Sequence, residues 1–266
     1  MSESPRSLHQ LQNTLAALFL LLVFAIAVSA QQAAPAPITS RGYETRVRQE
    51  PIDNKIADDK GVAAMIVPYA AELKDKLNTV IGHTAKIINK EGPAAGALGR
   101  LVAEIIRQTA ADKTGRKIDI ALMNNGGLRA EIPAGQITIG TIYQLMPFDN
   151  NVAIFELTGA DLQELFQAMA GNIVGYGNAV IGPQLVYREG KLISAKINEQ
   201  PIDPRATYTI ATIDYLYQRE EPVLARGKNF LSTGVLLRDA IINYIRAQQE
   251  AGRPLQPPAT VWVTVE

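Results

Sequence analysis

The chain has 266 residues, 47% of them apolar, and its 26 Lys+Arg balance 26 Asp+Glu. A neutral chain carries no global field to draw in nucleic acid or an anionic membrane. With no cysteine it can build neither disulfides nor thiolate metal sites nor a Cys nucleophile. In chain order, a polar start with the single basic residue Arg6 leads into LAALFLLLVFAIAVSA, Leu15 to Ala30. That uncharged run falls short of the roughly 20 residues a membrane span needs. Val28-Ser29-Ala30 place small side chains where a signal peptidase cuts, so residues 1–30 are expected to be a signal peptide. The mature chain is then expected to begin near Gln31, in the periplasm or outside the cell and off the membrane. Residues 31–50, with the AAPAPITS stretch, read as a flexible leader, and residues 51–266 as the folded domain.

Residues 54–77 read as a helix, with Ile56, Met65, Leu73 and Leu77 on apolar positions and Pro68 kinking or breaking it. Thr79 to Ile88 reads as a strand. The clearest helix spans 97–110, where Leu98, Leu101, Val102, Ile105 and Ile106 fall on one stripe. Thr114-Gly115-Arg116 turns the chain into a strand from Ile118 to Met123, followed by the loop NNGGLR. Thr138 to Met146 suggests a short helix stopped by Pro147, and Val152 to Leu157 a strand. Thr158-Gly159-Ala160-Asp161 resembles a capping box that opens a helix through Met169. Gly171 to Gly182 is a loop with four glycines. Gln184–Tyr187 and Lys191–Ile197 form a hairpin at Glu189-Gly190. A strand at Tyr208–Ile213, a helix at Val235–Gln249 and a strand at Val261–Val265 complete the chain. Strands alternate with helices and hairpins, so the expected class is α/β or α+β, a mixed β-sheet with flanking helices.

The chemistry is narrowed first by what is missing. His9 precedes the apolar run, which leaves His83 in the mature chain. A two-metal phosphoesterase site needs several His, Asp and Asn ligands around two cations, so no metal or other cofactor is expected on this chain. A lone strand histidine reads as structural, and no Ser occupies a GxSxG elbow.

The stretch ALMNNGGLRAEIPAGQITIGTIYQLMPFDNNVAIFELTGADLQELF, Ala121 to Phe166, is the most informative. It resembles the core of the 5'-nucleotidase C-terminal domain: N-x-G-G-[IL]-R, a Pro–Gly turn, a short helix, [LM]-P-F-x-N, a strand and an [ST]-G helix start, in that order. VYREGKLISAKINEQPIDPRATYTIATIDYL resembles the hairpin and strand that end that domain. The resemblance implies that Phe148 and Tyr215 sandwich a nucleobase, that Asn124 and Arg129 face the phosphate–ribose side, and that Asn150 reads the base edge. The residues agree with this. Asn124 and Arg129 flank Gly126 and Gly127, which let the backbone approach a ligand. Arg129 offers a planar fork, and Asn124 a donor and an acceptor. Plainer roles compete: Phe148 as core, Arg129 as a surface ion pair, Asn124 as a turn residue.

Two departures stand out. Where the family has Gly-Gly-Asp after Tyr215-Leu216, this chain has Tyr217-Gln218-Arg219-Glu220-Glu221, with Glu221 in the place of the ribose-holding aspartate. In EGPAAGALGRL, Gly92, Ala94 and Ala95 replace an anion contact, and Ala97 and Arg100 replace two asparagines. The resemblance implies a nucleotide or nucleoside ligand, and a separate metallophosphoesterase chain that carries the divalent metals. The other expectation is a non-catalytic binding or scaffold protein with a degenerate site and a different ligand. N-terminal sequencing of the secreted protein should read from near Gln31; an intact Leu15–Ala30 segment in a membrane fraction would overturn the signal-peptide expectation.

Overall fold

The computed structural model describes residues 56–173, 177–219 and 222–266. The expected signal peptide and leader lie outside them, as do Glu220 and Glu221. Asp59 to Glu266 form one unit. It opens with helix α1, Lys60–Leu77, which Asp59 caps by accepting from the backbone N–H groups of Gly61 (2.8 Å) and Val62 (2.9 Å). The helix runs through Pro68 without a break. Val62, Met65, Ile66, Tyr69 and Leu73 along it are exposed, and Ile56 precedes it.

Strand β1, Val80–Thr84, is shorter than expected and pairs antiparallel with β3, Gly135–Thr138. Helix α2, Gly96–Thr114, buries all five residues of the predicted stripe, each at 1% exposure or less. Gly115 ends it in the left-handed conformation that C-caps favour, at φ 65°. Strand β2, Ile120–Met123, follows. Helix α3, Ile139–Leu145, starts at a reciprocal Thr138–Thr141 capping box. Strand β4, Asn151–Thr158, leads into helix α4, Gly159–Met169, whose Asp161 N–H is capped by the Thr158 hydroxyl.

Within the predicted glycine loop lies a short strand, β5, Ala179–Ile181. β6, Pro183–Arg188, and β7, Lys191–Ile197, form the expected hairpin, turning at Glu189 (φ 49°) and Gly190 (φ 71°). Then come β8, Gln200–Pro201; β9, Thr207–Ile213; helix α5, Asp214–Arg219; β10, Lys228–Leu236; helix α6, Leu237–Glu250; and β11, Val263–Val265.

The central sheet has five strands in the order β10-β4-β9-β2-β5, in which only β2 and β9 run parallel. A second sheet is ordered β11-β6-β7-β8. The class is thus the mixed α/β expected. Helix α2 packs across β2, β5 and β9 and against α6, while α4 buries Leu162, Leu165 and Phe166. The second sheet is tied to α4 by Tyr187 on β6, whose buried hydroxyl donates to the Phe166 carbonyl at 2.8 Å. Burial pushes the pKa of that hydroxyl up.

The strand β10 escaped the sequence reading because nearly all its side chains face solvent and its pairing with β4 is interrupted by register shifts. It therefore lacks the alternation that marks a half-buried strand. His83 is an exposed residue of β1, with Nδ1 2.9 Å from the Gln249 side-chain oxygen.

Phe155 on β4 is fully buried, with its ring centroid 5.0 Å from that of Tyr217. Phe155→Ala should lower the free energy of unfolding by about 3–5 kcal/mol, whereas Met65→Lys on the exposed face of α1 should stay within about 0.5 kcal/mol. Urea unfolding of the two variants checks both, and a near-neutral Phe155→Ala would contradict this packing.

Candidate functional site

The register of the central sheet brings three chain segments to one end. β2 and β9 run parallel, with Ile120 beside Ile210 and Ala121 beside Ala211, so both finish on the same side. β4 runs against β9 with Val152 opposite Ile213, so its entry lies at that same end. Three segments therefore meet: Asn124–Arg129 after β2, Phe148–Asn150 before β4, and Asp214–Tyr215 at the start of α5 after β9. The carboxyl ends of adjacent parallel strands are a common place for ligand clefts in such sheets.

A cleft of about 310 Å³ opens there, lined by Asn124, Gly126, Gly127, Arg129, Phe148, Asn150, Ile213 and Tyr215. Seven of these were singled out in the sequence; Ile213, the last residue of β9, was not. Phe148 is 40% exposed and Tyr215 41%. The core role for Phe148 is therefore excluded, since its ring lines an open cleft. Glu221 lies outside the described residues.

Gly127 packs closely under two side chains. The residues after Asn124 form a single 3-10 turn, Asn125–Gly127, in which the Gly127 N–H donates to the Asn124 carbonyl at 3.2 Å. A Cβ on Gly127 would stand 2.5 Å from Met123 Cε and 2.7 Å from Asn124 Oδ1. Gly126 has no such constraint; a Cβ there would meet nothing closer than 3.7 Å. Asn124 itself is only 7% exposed, at the floor of the cleft. Arg129 lies on the surface, where its Nη1 donates to the Gly126 carbonyl at 3.1 Å, and its backbone N–H is fastened to the Leu145 carbonyl at 2.9 Å. Among the described residues it is the one charged side chain of the lining, presenting a planar fork beside the two aromatic rings.

The sequence reading missed the side chains that hold these loops. Asp214 Oδ2 accepts from the backbone N–H of Asn151 (3.1 Å) and its side-chain amide (3.2 Å), while Oδ1 accepts from the Tyr215 N–H (2.8 Å). It fixes the Tyr215 end of the cleft to the Phe148 end. An aspartate between a strand and a helix start was the available signal. Arg238, on α6, reaches the carbonyls of Met146 and Phe148 and the Asp149 carboxylate.

The departures from the family pattern lie outside the cleft lining where they can be described. Tyr217 turns inward, stacking on Phe230 at 4.5 Å between centroids and donating from its hydroxyl to the Gly227 carbonyl at 3.0 Å. Ala94 and Ala95 are buried with φ of 53° and 57°, a left-handed conformation that alanine disfavours. Arg100 donates to the Pro258 carbonyl at 3.4 Å, and burial lowers its pKa. Among the described residues no three His, Asp or Glu side chains are grouped as a cation site would need, and no helix is long and apolar enough to cross a membrane.

Residues 80–223 match the model of the family described as 5'-nucleotidase, C-terminal domain. The chain is 29% identical over 208 residues to "Endonuclease YhcR" of Bacillus subtilis, which covers 74% of this chain and 16% of that protein. It is 26% identical over 213 residues to "Protein UshA" of Escherichia coli, covering 77% and 37%. Among solved structures, a 5'-nucleotidase precursor from Thermus thermophilus superposes with a TM-score of 0.63 at 20% identity, over 77% of this chain and 43% of that one. The NAD nucleotidase of Haemophilus influenzae gives 0.57 at 17% identity, over 78% and 41%. The chain thus spans less than half the length of these relatives, and the structural likeness speaks for the fold.

The three hydrogen bonds on Asp214 make a separate forecast. Asp214→Ala should lower the unfolding free energy by about 1–3 kcal/mol, because the Asn151 and Tyr215 donors lose their acceptor. Asp214→Asn, which keeps one acceptor oxygen, should lose less. Equal stability of the alanine variant and the parent in urea would show that the tie carries nothing.

Proposed function

The chain belongs to the 5'-nucleotidase C-terminal domain family, and from that premise we propose that it is a secreted nucleotide- or nucleoside-binding domain. It grips the nucleoside while a separate metallophosphoesterase chain supplies the metals and the hydrolysis. The observation that carries the reading is the pair of half-exposed rings, Phe148 and Tyr215, lining one cleft with Arg129 and Asn124. Exposed aromatics gain little from the fold; a planar base between them gains stacking of about 1–3 kcal/mol per ring. Arg129 suits the phosphate–ribose side, where its fork can engage two oxygens, and Asn124 and Asn150 can both donate and accept at a base or sugar edge. Glu221 is proposed to accept from the ribose hydroxyls.

The alternative, a non-catalytic binding protein with a different ligand, draws on Arg100 and on Ala94–Ala95. At the positions of the family's phosphate-side contacts they are engaged with the protein's own backbone or buried.

Phe148→Ala and Tyr215→Ala should each weaken adenosine binding about 5- to 150-fold, the loss of one stacking partner, with Trp at either position recovering most of it. Arg129→Lys should hurt AMP more than adenosine, since it keeps the charge and loses the fork. Calorimetric titration paired with thermal melts of the same variants measures this. A parent that binds no nucleoside at millimolar concentration, or a Phe148→Ala variant that binds as the parent does, would refute the clamp and leave the alternative.

A further inference from the structure

Phe148 sits in a segment that the sheet does not hold. Pro147 has no N–H to donate, and the ladder of β4 begins only at Asn151. Yet three carbonyls in five residues are fastened, all by the start of α6. The Leu237 N–H donates to the Asn150 carbonyl at 2.9 Å. Arg238 Nη1 lies 3.4 Å from both the Met146 and Phe148 carbonyls, and Nη2 donates to Asp149 Oδ1 at 2.5 Å. The guanidinium carbon stands 4.3 Å from the ring centroid of Tyr143, so a cation–π contact sets the plane of the fork.

This arrangement is costly for stability alone. Arg238 is 8% exposed, and its Nε finds no hydrogen-bond partner among the described residues. Its carboxylate partner, Asp149, has a side chain 75% exposed, which weakens the pairing. The residue also sits in the first turn of α6, where the helix dipole disfavours a cation. A buried ion pair of this quality is often replaceable by apolar side chains without loss. What the guanidinium does provide is the fixed placement of the two peptide groups that flank the Phe148 ring.

We infer that Arg238 is the positioning residue of the aromatic cleft: it holds Met146–Asp149 so that Phe148 presents its ring before a ligand arrives. Ordering a backbone in advance removes that entropy from the binding step. Phe148 touches the base, and Arg238 acts only through it. The inference rests on the nucleoside clamp proposed above.

The test is a double-mutant cycle on the full mature chain, with adenosine as the probe and thermal melts alongside. Arg238→Met should weaken adenosine binding about 5- to 30-fold, the ordering of one residue returned to the binding step, and Arg238→Lys should lose less. Asp149→Asn, at an exposed side chain that leaves the fold intact, should weaken binding in the same direction. In a Phe148→Ala background each of these changes should alter affinity less than about 2-fold, because the ring they position is gone. A purely structural arginine would give the same loss in both backgrounds, and that additivity would overturn the inference. So would a Phe148→Ala variant that binds poorly while Arg238→Met and Asp149→Asn bind as the parent does, an outcome that leaves the clamp standing. A parent that does not bind adenosine at all would overturn the clamp and this inference together.

Discussion

The pairing of β9 with two neighbours of opposite direction is the constraint on which the rest of the molecule depends. β2 runs parallel to it and β4 antiparallel, with Val152 facing Ile213 and Ala121 beside Ala211. Strand register in a buried sheet is strongly specified, because a slip of one residue would turn every inward side chain outward. Ile210, Ala211, Ile154 and Phe155 are all buried at consecutive positions, so both faces of the sheet are covered here and a slip would force side chains of different size into two packed layers. The same register puts the ends of β2 and β9 and the entry of β4 side by side. The position of the cleft is a consequence of that alignment, while the segments around Phe148 and Tyr215 need further ties of their own.

Two kinds of aromatic side chain show how the fold divides stability from recognition. Tyr217 stacks on Phe230 and is tilted against the fully buried Phe155, and these rings gain from burial and ring contacts. Phe148 and Tyr215 are held near the surface by polar ties instead: Asp214 fixes the start of α5 to the start of β4, and Leu237 and Arg238 fasten the segment around Phe148. Loops that present exposed rings get little help from the hydrophobic effect, so their geometry depends on hydrogen bonds to rigid elements. That division is what a prearranged binding surface requires.

The departures from the family pattern have local physical accounts. Tyr217 replaces a small residue, and its ring is absorbed by the stack against Phe230, leaving the cleft open. Arg100 on α2 is half-buried, and its guanidinium bonds the Pro258 carbonyl away from the cleft. Among the described residues, the charge of the cleft lining is carried by Arg129 alone.

The sequence by itself determined the local elements and the residues of the lining. The buried stripe of α2, the short helix α3, the capped start of α4, and the β6–β7 hairpin were legible because helix period, capping and turn chemistry act over a few neighbouring residues. The ordered motif from Ala121 to Phe166 carried Asn124, Arg129, Phe148 and Asn150 in the same way. The tertiary structure alone decided that Phe148 is exposed, that Pro68 leaves α1 unbroken, and that β3, β5 and β10 exist. β3 and β5 are only four and three residues long, and β10 faces solvent along most of its length, so each is defined by its partner across the sheet. Arg238 was beyond reach for the same reason. Its bonds to Met146, Phe148 and Asp149 join positions about ninety residues apart, and only the packing of α6 beside the entry of β4 brings them together.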